Sequence, residues 1–151
     1  MLLATGLLNI PRENIIISRF PVRHLRDCRQ EILQSLIDLK PTLEPDIVFM
    51  PCLDDLHQDH QVITEEGLRA FKSATIFSYE LPWNNLTFES SEFIKLEQEH
   101  IEAKVNALSK YETQNFRNYT NSNFIFGLAR TRGVQIGATF AEAFQVVRLV
   151  L

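Results

Sequence analysis

Apolar positions along the chain fall into two periods, short β-branched or aromatic runs and longer stretches spaced three and four residues apart. Residues 46–50 and 75–79 are runs of the first kind, and both read as strands. Ile15-Ile16-Ile17 reads in the same way as a short buried strand, and residues 145–151 close the chain as another. The helical period fills the intervals. Residues 2–8 read as the last turns of a helix, closed by Asn9, Pro11 and the polar Arg12-Glu13-Asn14. Asp27 is placed to cap a helix with Ile32, Leu33, Leu36 and Ile37 on one face, ending by Lys40-Pro41. A helix over about residues 60–72 turns Val62, Ile63, Leu68 and Phe71 inward, and one over about 97–111 carries Ile101, Val105 and Leu108 on one stripe. Asn121 or Ser122 caps a last helix running to about residue 132.

Strands alternating with helices indicate a layered α/β fold with a mainly parallel sheet. The order contains one defect: the chain opens on the tail of a helix with no strand before it. A parallel crossover needs a strand at each end, so the first βα unit reads as missing. With 151 residues, 45% of them hydrophobic, one domain over residues 1–151 is expected. A net charge of −4 with mixed signs and no basic run argues against nucleic acid as the main partner. No apolar stretch approaches the length of a membrane span. The apolar start has neither a basic region nor a small-residue cleavage site and does not read as a signal peptide. Cys28 and Cys52 are too few for a disulfide framework, so reduced thiols and a cytoplasmic location are expected. Asn85 and Asn118 head glycosylation patterns that mean little without a secretory route.

The chemistry is concentrated after the run that closes with Pro51, in Asp54-Asp55-Leu56-His57-Gln58-Asp59-His60. On a first helical turn, the spacing of His57 and His60 puts both imidazoles on one side. Asp59, between them, is the type of residue that holds a ring N–H and fixes which nitrogen is free. The carboxyl end of a strand is also where open α/β sheets bind ligands. The plainer reading is that Asp54, Asp55 and Asp59 complement a helix dipole. Two histidines and three acids within seven residues favour a site. Trp83 and Asn84 follow a strand's carboxyl end and suit a sugar ring, by stacking and by hydrogen bonding. Packing of Trp83 in the core is an equal alternative. Cys52 reads as a buried thiol before it reads as a metal ligand. Arg23 and Arg29 read either as surface ion pairs or as contacts to an anionic substrate.

The run DDLHQDH after PDIVFMPC resembles the second motif, Asp-x-His-x-Asp-His, of the PIG-L/LmbE-like zinc-dependent de-N-acetylases. RQEIL at 29–33, YELPWNNLTF at 79–88 and RGVQIGATFAEAF at 132–144 extend the resemblance over most of the chain. It implies a Rossmann-like three-layer fold, a zinc cofactor, and hydrolysis of the N-acetyl group of an amino sugar or its conjugate. Residue by residue, it implies that His60 is a zinc ligand and that His57 stabilises the tetrahedral oxyanion and can protonate the leaving amine. Asp59 corresponds to the acid that orients and charges that histidine. Asp55 corresponds to an upstream acidic residue whose role the resemblance leaves open. Asp55 is grouped with Trp83 and Asn84 as a substrate contact.

One departure stands. The family's first motif, His-Pro-Asp-Asp, supplies two zinc ligands and the general base, and it is not in this sequence. His24-Leu25-Arg26-Asp27 repeats only its His and Asp spacing, with Arg26 where the base belongs. Two of three protein zinc ligands are thus absent, and one imidazole does not hold zinc as three ligands and a water do. The chain resembles the C-terminal three-quarters of such an enzyme and is expected to be inactive alone. The alternative is a non-catalytic remnant that binds a sugar or a protein through the same cleft. An apolar sheet edge and self-association are expected with either. A nucleotide-binding domain or a serine hydrolase is disfavoured, for want of a Gly-rich phosphate loop and a Gly-x-Ser-x-Gly elbow.

Overall fold

The computed structural model describes residues 1–114 and 116–151. In chain order the elements are α1 (Leu2–Leu7), α2 (Arg29–Leu43), β1 (Ile47–Pro51), α3 (Gln58–Ala70), β2 (Thr75–Tyr79), β3 (Glu92–Leu96), α4 (Gln98–Leu108), α5 (Ser122–Gln135) and β4 (Phe140–Arg148). The strands form one sheet in the order β1-β2-β4-β3, so the fold is α/β. By its internal contacts the chain divides into two units: residues 19–92 with 143–151, and residues 1–18 with 93–142. Among the described residues no helix is long and apolar enough to cross a membrane.

In the first unit β1 runs parallel to β2, with Ile47 opposite Thr75 and Pro51 opposite Tyr79. β2 runs antiparallel to β4, with Phe77 opposite Val146 and a register shift between Ile76 and Phe77. The sheet is therefore mixed, not mainly parallel. A strand's direction depends on the end from which its connection returns, and the residue pattern of the last strand does not encode that. α2 and α3 bury Leu33, Ala70, Phe71 and Ala74 together, with Leu36 and Val48 packed against them. Pro41 lies inside the last turn of α2, which runs on to Leu43 before Glu44 turns left-handed at φ 39°. Ile37, expected inward, is exposed.

The second unit is centred on Ile101 of α4 with Ile125 and Ala129 of α5, surrounded by Leu96, Val105, Leu108, Phe124, Phe126 and Phe140. Gly133 lets α5 approach the chain that follows it. A Cβ there would lie 2.7 Å from the Thr139 carbonyl oxygen and 2.8 Å from the Phe140 nitrogen. Gly137 then makes the turn toward β4 at φ +70°.

Three expectations about elements need correction. Ile15-Ile16-Ile17 is not a strand; Ile16 and Ile17 are exposed beyond a 3-10 turn at Arg12–Asn14. β-branched content suits a strand but does not supply the neighbour whose backbone completes one. β3 was not anticipated, because Glu92 and Lys95 break its apolar pattern. β4 starts at Phe140 and ends at Arg148, earlier than the expected 145–151.

β1 is an edge strand, yet its sequence Ile-Val-Phe-Met is that of a strand covered on both faces. Val48 and Met50 turn toward the helices, whereas Ile47 and Phe49 are 52% and 47% exposed. No lysine, bulge or internal proline protects this edge, and such edges pair with other chains. The protein is therefore expected to self-associate at micromolar concentrations, and Phe49→Lys should shift it toward monomer in light scattering coupled to size exclusion. A wild-type chain that elutes as monomer at every concentration contradicts this.

Candidate functional site

The candidate residues lie within the first unit, where β1 hands over to α3. The end of β1 is pinned from two sides. The carbonyl oxygen of Pro51 accepts the buried hydroxyls of Thr64 at 3.0 Å and Ser78 at 3.1 Å. The following loop pairs with residues 84–86: Leu56 donates its N–H to the Asn84 carbonyl at 3.0 Å, Leu86 donates to that of Asp54 at 3.3 Å, and Asp55 bridges Asn85. These bonds fix the loop from which Asp55 projects.

Asp55 is fully buried. Its Oδ1 accepts the His57 backbone N–H at 2.7 Å, and its Oδ2 lies 2.7 Å from Nδ1 of His60. A carboxylate only accepts, so His60 carries its proton on Nδ1 and leaves Nε2 with a free lone pair. His57 is the N-cap of α3, and its Nδ1 accepts the Asp59 backbone N–H at 3.2 Å. The neutral His57 ring therefore carries its proton on Nε2. The two rings stack with centroids 4.4 Å apart at 24°. The result is a pair of opposite tautomers, in which His60 Nε2 accepts and His57 Nε2–H donates.

Asp59 is placed differently from the sequence expectation. Its Oδ2 accepts the Arg23 backbone N–H at 2.6 Å, and it is the Asp59 backbone, not the carboxylate, that meets the His57 ring. Its Oδ1 is buried with no partner among the described residues. Arg23 makes its contact from a left-handed conformation at φ 69°, which costs a non-glycine residue about 1–3 kcal/mol. Gln61 donates to the Asp55 carbonyl at 2.9 Å and accepts from Arg26 at 3.2 Å, a second tie between this loop and α3.

Arg29 resolves as an ion pair. It meets Glu65 at 2.7 Å and the fully buried Glu66 at 2.5 Å, and the hydrogen bond to Glu66 is the first cause holding its pKa above the ordinary value. Trp83 is 44% exposed, which sets aside its packing in the core. Asn84 contributes its backbone carbonyl to the loop. Cys52 is buried 3.6 Å from Oε1 of Gln145, a buried thiol as read from the sequence. Among the described residues no group of three His, Cys, Asp or Glu side chains is placed to hold a metal ion. With His60 Nε2 as the one ring nitrogen of the pair left to accept, these residues do not by themselves fit a zinc ion.

The role of Asp55 was not legible beforehand. It lies five residues before His60, and only the turn into α3 brings the two together.

Burial around this centre has a pH signature. Tyr79 is held above its ordinary 10.0 by burial and then by the charge of Asp55, and Cys52 above 9.0 chiefly by burial. Folded-state values raised in this sense add stability that is complete below the unfolded values and lost as pH rises through the folded ones. Urea midpoints should therefore fall from about pH 9 upward, and Tyr79→Phe should remove part of the fall. A midpoint flat from pH 8 to 11 in both proteins contradicts this.

No family model and no curated relative matches the chain. Solved structures do. The deacetylase triple mutant Orf2*T of a teicoplanin biosynthetic pathway superposes with a TM-score of 0.73 at 20% identity, covering 98% of this chain and 68% of that one. The zinc-inhibited form of the same deacetylase gives 0.62 at 16%, covering 85% and 55%. N,N'-diacetylchitobiose deacetylase from Pyrococcus horikoshii gives 0.62 at 17%, covering 95% and 60%. GalB, a 4-carboxy-2-hydroxymuconate hydratase from Pseudomonas putida, gives 0.60 at 17%, covering 81% and 60%. The fold is therefore one shared with deacetylases, as the sequence resemblance implies, and also with a hydratase. At these identities the likeness is one of fold, and the chain spans only 60% of the length of the last two.

Proposed function

We propose that residues 1–151 form part of a single Rossmann-like de-N-acetylase domain that acts on an N-acetylated amino sugar or its conjugate. In such a domain, the first βα unit of the layered fold is supplied from outside these residues. The observation that carries this reading is the tautomer pair that follows β1, with His60 fixed by Asp55 and His57 by the Asp59 backbone N–H. Amide hydrolysis builds negative charge on the carbonyl oxygen and later needs a proton on the leaving nitrogen. His57 Nε2–H is a donor suited to both tasks. His60 Nε2 presents a lone pair, which Asp55 orients in the way that carboxylates behind metal-binding imidazoles do. Asp59 acts on His57 through its backbone N–H and keeps the cap in place. Trp83, exposed on the loop paired with residues 54–56, suits stacking on a sugar ring, with Asn84 beside it. Two deacetylases among the fold neighbours support the reaction class, and the diacetylchitobiose enzyme supports the sugar.

The residues present offer zinc a single imidazole nitrogen. The second reading is a non-catalytic module that binds the same sugar. The hydratase neighbour shows that the fold alone does not choose the reaction.

The two readings part in one experiment. N-acetylglucosamine added to the chain should shift the ring resonances of Trp83, His57 and His60, and His57→Ala should weaken binding about 2–10-fold, the loss of one neutral hydrogen bond. In a form of the chain extended at its N-terminus by the first βα unit, acetate release that is abolished by a chelator, and lowered about 10²–10⁴-fold by His57→Ala, establishes the hydrolase. Binding by that extended form without release, unmoved by chelator or by His60→Ala, establishes the module. No shift at any of the three rings overturns both.

A further inference from the structure

The second unit holds an open cavity of about 400 Å³ that shares no residue with the His57–His60 pair. That volume lies in the range of small-molecule sites. Its floor is apolar, formed by Leu8 beyond α1, by Leu96 and by Ala107 of α4. His100, Lys104, Tyr111 and Glu142 bring its titratable side chains, and the Thr5 hydroxyl beside them is already bonded within α1.

The hydrogen bonds already made show what the cavity has left to offer. Nδ1 of His100 accepts the Glu97 backbone N–H at 3.0 Å, so the neutral ring carries its proton on Nε2 and is a donor. No hydrogen bond to another described residue occupies the Tyr111 hydroxyl. Lys104 Nζ meets Glu142 Oε1 at 2.5 Å, which cancels the one positive charge against the one negative charge of the lining. The cavity thus combines an apolar floor, two unused donors and no net charge. An anion gains nothing from a lysine already paired and approaches the Glu142 carboxylate at a cost. A neutral molecule with a hydrogen-bond-accepting head and an apolar body meets every surface it touches.

We infer that this cavity is a binding site for an uncharged amphipathic small molecule, with a carbonyl or amide oxygen received by His100 Nε2–H and Tyr111 O–H and an aromatic or short acyl body against Leu8, Leu96 and Ala107. It is independent of the function proposed for the His57–His60 pair, because none of the residues of that site lines the cavity.

Benzamide and benzoate have nearly the same shape and differ in charge, so they test the inference on the intact chain by chemical-shift mapping. Benzamide should shift the His100 and Tyr111 ring signals in a saturable way, and benzoate should bind at least several-fold more weakly. Tyr111→Phe removes only the hydroxyl and should weaken benzamide binding about 2–10-fold. Ala107→Phe fills the floor and should abolish binding while far-ultraviolet circular dichroism is unchanged. Where Ala107→Phe fails to fold, Tyr111→Phe and the benzamide–benzoate comparison still decide. The inference is overturned by no saturable shift at His100 or Tyr111, by benzoate binding as tightly as benzamide, or by unchanged binding in Tyr111→Phe.

Discussion

The arrangement at the candidate site depends on one buried carboxylate. Removing Asp55 from water costs several kcal/mol, and only well-formed hydrogen bonds offset such a cost. Both of its oxygens are engaged at 2.7 Å, one by a backbone N–H at the start of α3 and one by an imidazole a turn later. The same residue therefore closes the loop after β1, sets where α3 begins and decides which nitrogen His60 presents. An acid elsewhere on the helix could complement the dipole but could not do all three.

The layout around Asp55 supports this. Thr64 and Ser78 hold the Pro51 carbonyl from α3 and β2, and residues 84–86 pair with the loop. Arg23 accepts a left-handed backbone to give its N–H to Asp59, and Arg26 reaches Gln61. Strained residues held by their surroundings tend to gather at functional sites. This loop adds that mark to a site otherwise identified by its histidines.

Much of the fold was legible because burial writes a period into the sequence. The bounds of β2 agree with the apolar run that marks it, and the inward stripe Ile101, Val105 and Leu108 recurs in the core of the second unit. Failures occurred where a contact, not a period, decides the outcome. Ile15-Ile16-Ile17 has the composition of a strand but pairs with no strand among the described residues. Glu92–Leu96 has a weak pattern and is a strand because β4 lies next to it in the sheet. The site divides in the same way. Two histidines three residues apart, with Asp59 between them, could be grouped from their spacing on a helix. The roles of the acids could not, since Asp55 acts across the turn into the helix and Asp59 acts through its backbone.

The histidine pair also limits what these residues can do by themselves. His57 offers a proton and His60 a lone pair, but nothing beside them among the described residues offers the further ligands that would make a water nucleophilic. In the proposed reaction, this geometry would supply orientation and a donor to the oxyanion. Those contributions are separable from activation of the nucleophile in energy as well as in space, because a positioned donor contributes even where the attacking group comes from elsewhere. β1, whose apolar sequence is that of a covered strand, ends at Pro51 and leads through the Asp55 loop to these imidazoles, so the strand and the histidine pair are held by the same bonds to Pro51 and Asp55.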